Sequence, residues 1–179
     1  MSFKKLTEEY VNECGYDIDE MFLSEKVYNT IYCEPLDWHL CLVDSIVDCE
    51  SPMEQYLSLF IEVSGLIRIN RFNPKIDIVE FEKQKELIIN GKKYRVDFFM
   101  KIEYKTKYKD FKTVNLIIEV DGHEFHQKTK EQVERDNERT RKLQIAGYEI
   151  IKFSGTEVYR KPNKCIDTLF EIILSKSYD

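Results

Sequence analysis

The sequence predicts an α/β protein with a central mixed β-sheet flanked by helices. Three observations predict it. Period-two apolar alternation runs through Tyr94–Tyr104 and again through Val114–Asp121. A charged stretch of helical character, Lys128–Ala146, separates the second of these from another apolar run, Tyr148–Phe153. A helix joining two strands makes them a parallel pair, whereas the short connections before it make antiparallel ones.

The elements follow in order. Residues 1–48 read as an acidic helical extension, with Leu23, Val27 and Ile31 at four-residue spacing and a further helix over Asp37–Asp48. The remaining chain, 49–179, reads as one domain. Ser51-Pro-Met-Glu54 opens a helix with Ser51 as N-cap, Pro52 at the first position and Glu54 at the capping-box position. That helix runs to about Gly65, apolar except for a narrow stripe of Glu54, Ser58 and Glu62, and is expected to be buried. Ile76–Phe81 and Glu86–Ile89 are short strands, and Asn90-Gly91 is a hairpin turn. In the next strand Tyr94, Val96, Phe98, Met100, Ile102 and Tyr104 are expected on one face, with Arg95, Asp97, Phe99, Lys101 and Glu103 on the other. Lys105–Phe111 is a basic loop, and Gly147 is a left-handed cap after the charged helix. Asn163–Ser175 is the last helix.

Composition narrows the function classes. The 179 residues are 42% hydrophobic and 34% charged, which suits a globular chain. No apolar run approaches the length of a membrane span, and the first ten residues lack the apolar core of a signal peptide. Five widely spaced cysteines, with no Cys-x-x-Cys, argue for reduced thiols and a cytoplasmic protein. The net charge of −6 hides an asymmetry: residues 1–56 sum to −10 and residues 57–179 to +4. Eight bases against three acids in 91–113 suggest a polyanionic partner, or simply a solvated hairpin.

Three carboxylates carry the chemistry. Asp97 lies in Arg-Val-Asp-Phe-Phe, and Glu119 and Asp121 share one face of Ile-Ile-Glu-Val-Asp-Gly. On neighbouring strands they converge, and converging carboxylates require a cation. Hard oxygen donors on a sheet suit Mg²⁺ or Mn²⁺, which promote phosphodiester hydrolysis.

These residues resemble the PD-(D/E)XK nuclease superfamily, the restriction-endonuclease-like proteins. The resemblance rests on Ser51-Pro-Met-Glu54, Arg95-Val-Asp97-Phe and Ile118-Glu119-Val-Asp121-Gly122 with His126 following. Arg135-Asp136-x-x-Arg139-x-x-x-Leu143-x-x-x-Gly147-Tyr-Glu-Ile-Ile-Lys-Phe153 resembles the branch of very short patch repair endonucleases. It covers about residues 51–174. The resemblance implies a restriction-endonuclease-like core and a metal-dependent endonuclease acting on DNA. It implies Asp97, Glu119 and the Val120 carbonyl as metal ligands, with Glu54 completing the site and His126 assisting catalysis. The superfamily's lysine, two residues after the glutamate, is here Asp121. Its role then falls to His123, His126, Lys128 or Lys152, or to a second metal.

Plainer roles compete with these. Glu54 in a capping box satisfies the Ser51 backbone N–H. Asp97 pairs across strands with a base, and Asp121 caps a turn. Arg135, Arg139 and Lys142 share one side of the charged helix and face phosphates, or else form ion pairs Glu131–Arg135, Asp136–Arg139 and Glu138–Lys142. Lys105, Lys107 and Lys109, interleaved with Tyr104 and Tyr108, suit a nucleic-acid contact or a mere loop tip. The competing function is an inactive nuclease-fold module that binds nucleic acid or a protein partner. Double-strand cleavage by a one-site chain would favour a homodimer.

Overall fold

A computed structural model describes residues 47–107, 110–121 and 129–178. The expected helices lie outside the described residues over 1–46, as do Lys109, Gly122, His123, His126 and Lys128, while Val47 and Asp48, expected to end a helix, form a turn. The chain divides into two compact units at Ser64/Gly65.

The first unit contains helix α1, Pro52–Val63. Ser51 is its N-cap, accepting the Glu54 N–H at 3.2 Å. The Glu54 carboxylate accepts from the Ser51 hydroxyl at 2.6 Å and from the Glu50 N–H at 3.0 Å. The expected acceptance from the Ser51 N–H is thus replaced by the residue before it. Two of the three stripe residues, Glu54 and Ser58, are buried along with Leu57, Leu59 and Ile61, and Glu62 is partly exposed.

The second unit is built on a four-stranded sheet in the order β1 (Ile76–Ile89), β2 (Lys92–Lys105), β3 (Phe111–Asp121) and β4 (Tyr148–Ser154). The first two pairings are antiparallel and the third is parallel. A 3₁₀ helix, Leu66–Arg71, precedes the sheet. Helix α2 (Lys130–Ile145) makes the crossover between β3 and β4. Helices α3 (Gly155–Arg160) and α4 (Pro162–Ser175) follow β4. This is the α/β architecture with a mixed sheet flanked by helices that the sequence predicts.

Three differences from expectation have physical causes. Ile76–Phe81 and Glu86–Ile89 are one strand, because Glu82, Lys83 and Lys85 between them pair with β2. Helix α3 was not expected, although Ser154 and Glu157 form a complete capping box at its start. The third is a change of face within β2. Tyr94 and Val96 share one apolar cluster with Phe99, Ile117, Leu87 and Leu143, so strict alternation fails between Val96 and Phe99. The break falls at Asp97. On β1, Lys83 pairs Phe98 and Lys85 pairs Val96, so Gln84 stands across from Asp97, with φ of +51°. An L-residue adopts that conformation only at a local irregularity. Lys85, just past it, places its ammonium 4.2 Å from the Phe99 ring centre. Burial, and the nearby Lys101 charge, lower the Lys85 pKa.

The hairpin turn forms as expected. Asn90 and Gly91 both have positive φ, +51° and +76°, the type I′ signature that matches strand twist. Gly147, at φ +90°, ends α2.

Candidate active site

The site begins where the sheet forks. Phe98 and Ile118 are the last paired residues of β2 and β3. Beyond them β2 stays with β1 as far as Lys92, and β3 stays with β4 as far as Asp121. Asp97 and Glu119 are the first residues past the fork on their respective strands. The ladder's next backbone donor, the Val120 N–H, is taken by the Asp97 carboxylate, Oδ2 accepting at 2.8 Å. The change of face at Asp97 thus turns a side chain into the gap that the separating strands leave open. Asp97 is half-buried and Glu119 is buried.

Glu119 is held from two directions. Lys152 of β4 is its partner in the parallel register, and Lys152 Nζ lies 2.9 Å from Glu119 Oε2. Arg139 of α2 pairs with the other oxygen, Oε1. The second guanidinium nitrogen of Arg139 donates to the Arg95 carbonyl at 2.7 Å. One arginine therefore ties the helix to both sides of the fork. Four residues further along α2, Leu143 is fully buried in the cluster containing Ile117. The two contacts fix the helix in position although most of its surface is exposed.

The structure thus brings together Asp97, Glu119, Val120, Arg139 and Lys152. Asp121 follows on β3, opposite Ser154. Of the groups weighed as a replacement for the missing lysine, Lys152 is the described one, and it reaches Glu119. Glu54 belongs to the first unit, with both carboxylate oxygens engaged in capping. Arg139 crosses to Glu119 where an ion pair with Asp136 was the competing expectation. The Glu138–Lys142 pair forms at 2.5 Å. Arg135 donates its Nε to the Glu131 carbonyl at 3.3 Å.

Lys105 and Lys107 sit elsewhere. Lys105 pairs with Phe111 at the far end of β2. Eight residues of extended chain separate it from Asp97, about 26 Å at the usual rise per residue. At the near end, Lys92, Lys93 and Arg95 share a cleft with Arg135, Arg139 and Lys142. The sequence counts these three β2 residues within the basic 91–113 stretch, without naming them as individual contacts. Their signal was the basic flank of the Asn90-Gly91 turn, which the hairpin brings beside α2.

A restriction-endonuclease-like family model, REase_MTES_1575, matches residues 79–173, more than half of the chain. The chain belongs to this family. The REase_MTES_1575 match spans all of β2, β3, α2 and β4, and so contains Asp97, Glu119, Arg139 and Lys152. No curated protein and no solved structure matches the chain. No helix among the described residues is long and apolar enough to cross a membrane.

The donor set bears on the metal that such nucleases use. Among the described residues no group of three or more His, Cys, Asp and Glu side chains is placed to hold an ion. Two carboxylates flanking a fork, with a backbone carbonyl beside them, fit Mg²⁺, which keeps several waters and takes one or two carboxylates. They do not suit a metal needing a complete protein cage.

Proposed function

We propose that this chain is a metal-dependent nuclease that hydrolyses phosphodiester bonds in DNA at the fork between β2 and β3. The observation that carries the reading is Glu119: a buried carboxylate at the open end of a sheet, flanked by Asp97 and by two cations. Asp97, Glu119 and the Val120 carbonyl would hold Mg²⁺ or Mn²⁺. A divalent cation at that position supplies Lewis acidity toward a phosphoryl oxygen and makes water a better nucleophile. Lys152 takes the part of the superfamily lysine. Its ammonium orients the attacking water and offsets charge building on the phosphoryl oxygens. Arg139 steadies Glu119 and presents a guanidinium to a substrate phosphate. Asp121 positions water from the end of β3, and His126 is the proposed source of a proton for the leaving oxygen.

The finer placement near very short patch repair endonucleases is supported by the spacing Arg135-x₃-Arg139-x₃-Leu143. In this chain Arg139 and Leu143 anchor the helix to the sheet. We further propose cytoplasmic action, on the odd and scattered cysteines, and pairing of two copies if both strands of a duplex are cut.

One observation favours the inactive-module reading. Both oxygens of Glu119 already carry cationic partners, as expected of a site neutralised without metal. Calorimetric titration with Mn²⁺ separates the two. The nuclease reading expects binding by the wild type that is lost in Asp97→Ala and in Glu119→Ala. Absence of binding to folded wild type favours the module.

A further inference from the structure

The cleft between the β1–β2 turn and α2 adjoins the carboxylates through Arg139. Its volume is about 390 Å³, in the range of clefts that accept a small ligand. Lys92, Lys93 and Arg95 line one wall, and Arg135, Arg139 and Lys142 the other. Asp136 and Glu138 are the acids among its lining residues, so it carries a surplus of four positive charges in a chain of net −6.

We propose that this cleft is the track along which the phosphate backbone of a DNA strand approaches the fork, with Lys92 and Arg135 as principal contacts. The inference rests on the nuclease reading and specifies its substrate path. Three features of the cleft support it. Arg139 belongs both to the cleft and to the Glu119 contact, so an anion following the cations arrives at the carboxylates. Arg135 to Lys142 spans about 10 Å of helix, about three base-pair steps along a duplex axis at 3.4 Å per step. The lining aromatic, Tyr94, is buried with the Lys92 ammonium 5.5 Å from its ring centre, so it offers no open face for base stacking. Cations without a stacking platform read the backbone, not the bases. Of the three ion pairs that hold lining cations, Lys93–Glu86 and Lys142–Glu138 are exposed and exchange readily for phosphate, whereas Arg139 stays with Glu119.

The test is fluorescence anisotropy with labelled single-stranded and duplex DNA in EDTA, so that binding is read without cleavage. Lys92→Glu with Arg135→Glu is compared with a charge-matched pair at the opposite end of the sheet, Lys75→Glu with Lys112→Glu. All four positions are exposed, and thermal melts check that each variant folds. The cleft pair is expected to bind at least about tenfold more weakly, with a log affinity against log salt slope shallower by about two. The opposite pair is expected to change both much less. The milder Lys92→Gln with Arg135→Gln is expected to fall between. Equal losses in the two pairs, or unchanged binding in the cleft pair, would overturn the proposal. Unchanged cleft-pair binding beside metal-dependent cleavage by the wild type would leave the nuclease reading standing. Wild type that neither binds nor cleaves would end both.

Discussion

Lys152 and Glu119 face each other across the parallel β3–β4 pair, with 2.9 Å between ammonium and carboxylate. A sheet register thereby delivers a lysine to the glutamate from a neighbouring strand, while the position two residues along β3 is held by Asp121. We expect Lys152→Ala to fold, since the side chain is 32% exposed, and to lower kcat by about 10²–10³-fold, the usual scale for losing one charge-stabilising group. Lys152→Arg should recover part of it. Single-turnover kinetics on saturating substrate check this. Unchanged kcat in Lys152→Ala would return the missing role to residues of 122–128.

Arg139 ties α2 to Glu119 and to the Arg95 carbonyl. Removing it leaves a buried carboxylate with one cation instead of two. Arg139→Ala is expected to cost about 1–3 kcal/mol of stability, with Arg139→Lys costing less but still losing the fork-spanning contact. Urea denaturation measures both. A neutral Arg139→Ala would show that the contact contributes nothing to holding the helix.

Leu143 is the buried anchor of an otherwise exposed helix. Leu143→Ala should cost about 2–5 kcal/mol through lost burial and the cavity left behind. Hydrogen exchange should then quicken first in α2. Quickening spread evenly over the sheet instead would contradict the role assigned to this side chain.

Tyr104 is buried at 3% exposure, and its hydroxyl has no hydrogen-bond partner among the described residues. Burial, reinforced by the Glu149 charge, pushes its pKa up to about 12. Tyr104→Phe removes a buried polar group that nothing satisfies, so stability should stay level or rise by about 1 kcal/mol. A clear loss in a thermal melt would mean that the hydroxyl is satisfied.

The Ser154–Glu157 capping box opens α3 directly after the strand that carries Lys152. The Glu157 carboxyl is held below its ordinary range, first by the Ser154 backbone N–H and then by the Ser154 hydroxyl. A depressed carboxyl contributes stability above its unfolded pKa and loses it as pH falls through the folded value. Glu157→Gln should therefore lower Tm at pH 7 and converge with wild type in strong acid. Ser154→Ala should cost about 1 kcal/mol. Melts across that pH range decide it, and a constant Tm gap down to the lowest pH would refute the linkage.

The fold was legible where local pattern decides it. The Asn90-Gly91 turn, the Gly147 cap and the apolar rows of β2 and β3 all report backbone geometry through residue type. The fork was not legible. Alternation carried through Tyr94–Tyr104 puts Asp97 on a definite face, and only the cluster that Val96 shares with Phe99, beside Gln84 at positive φ, reveals that the faces exchange there. Register hid the ion pairs in the same way. Lys152 was one of four candidates by residue type, but pairing with Glu119 depends on the offset of a parallel pair, which no local signal encodes. The Arg139 contact is subject to the same limit. Helix spacing shows which residues share a side, whereas the buried Leu143 determines which side meets the sheet. Each wall of the basic cleft was legible as a run of bases, but their meeting was not, because the two lie some forty residues apart in sequence.

The most direct test of the account is cleavage of labelled single-stranded DNA and supercoiled plasmid by wild type, Asp97→Ala and Glu119→Ala, each with Mg²⁺, Mn²⁺ or EDTA. The account predicts cutting by wild type that requires the divalent ion and disappears in both variants while they remain folded. Cutting that persists in EDTA, or that survives loss of either carboxylate, would contradict it.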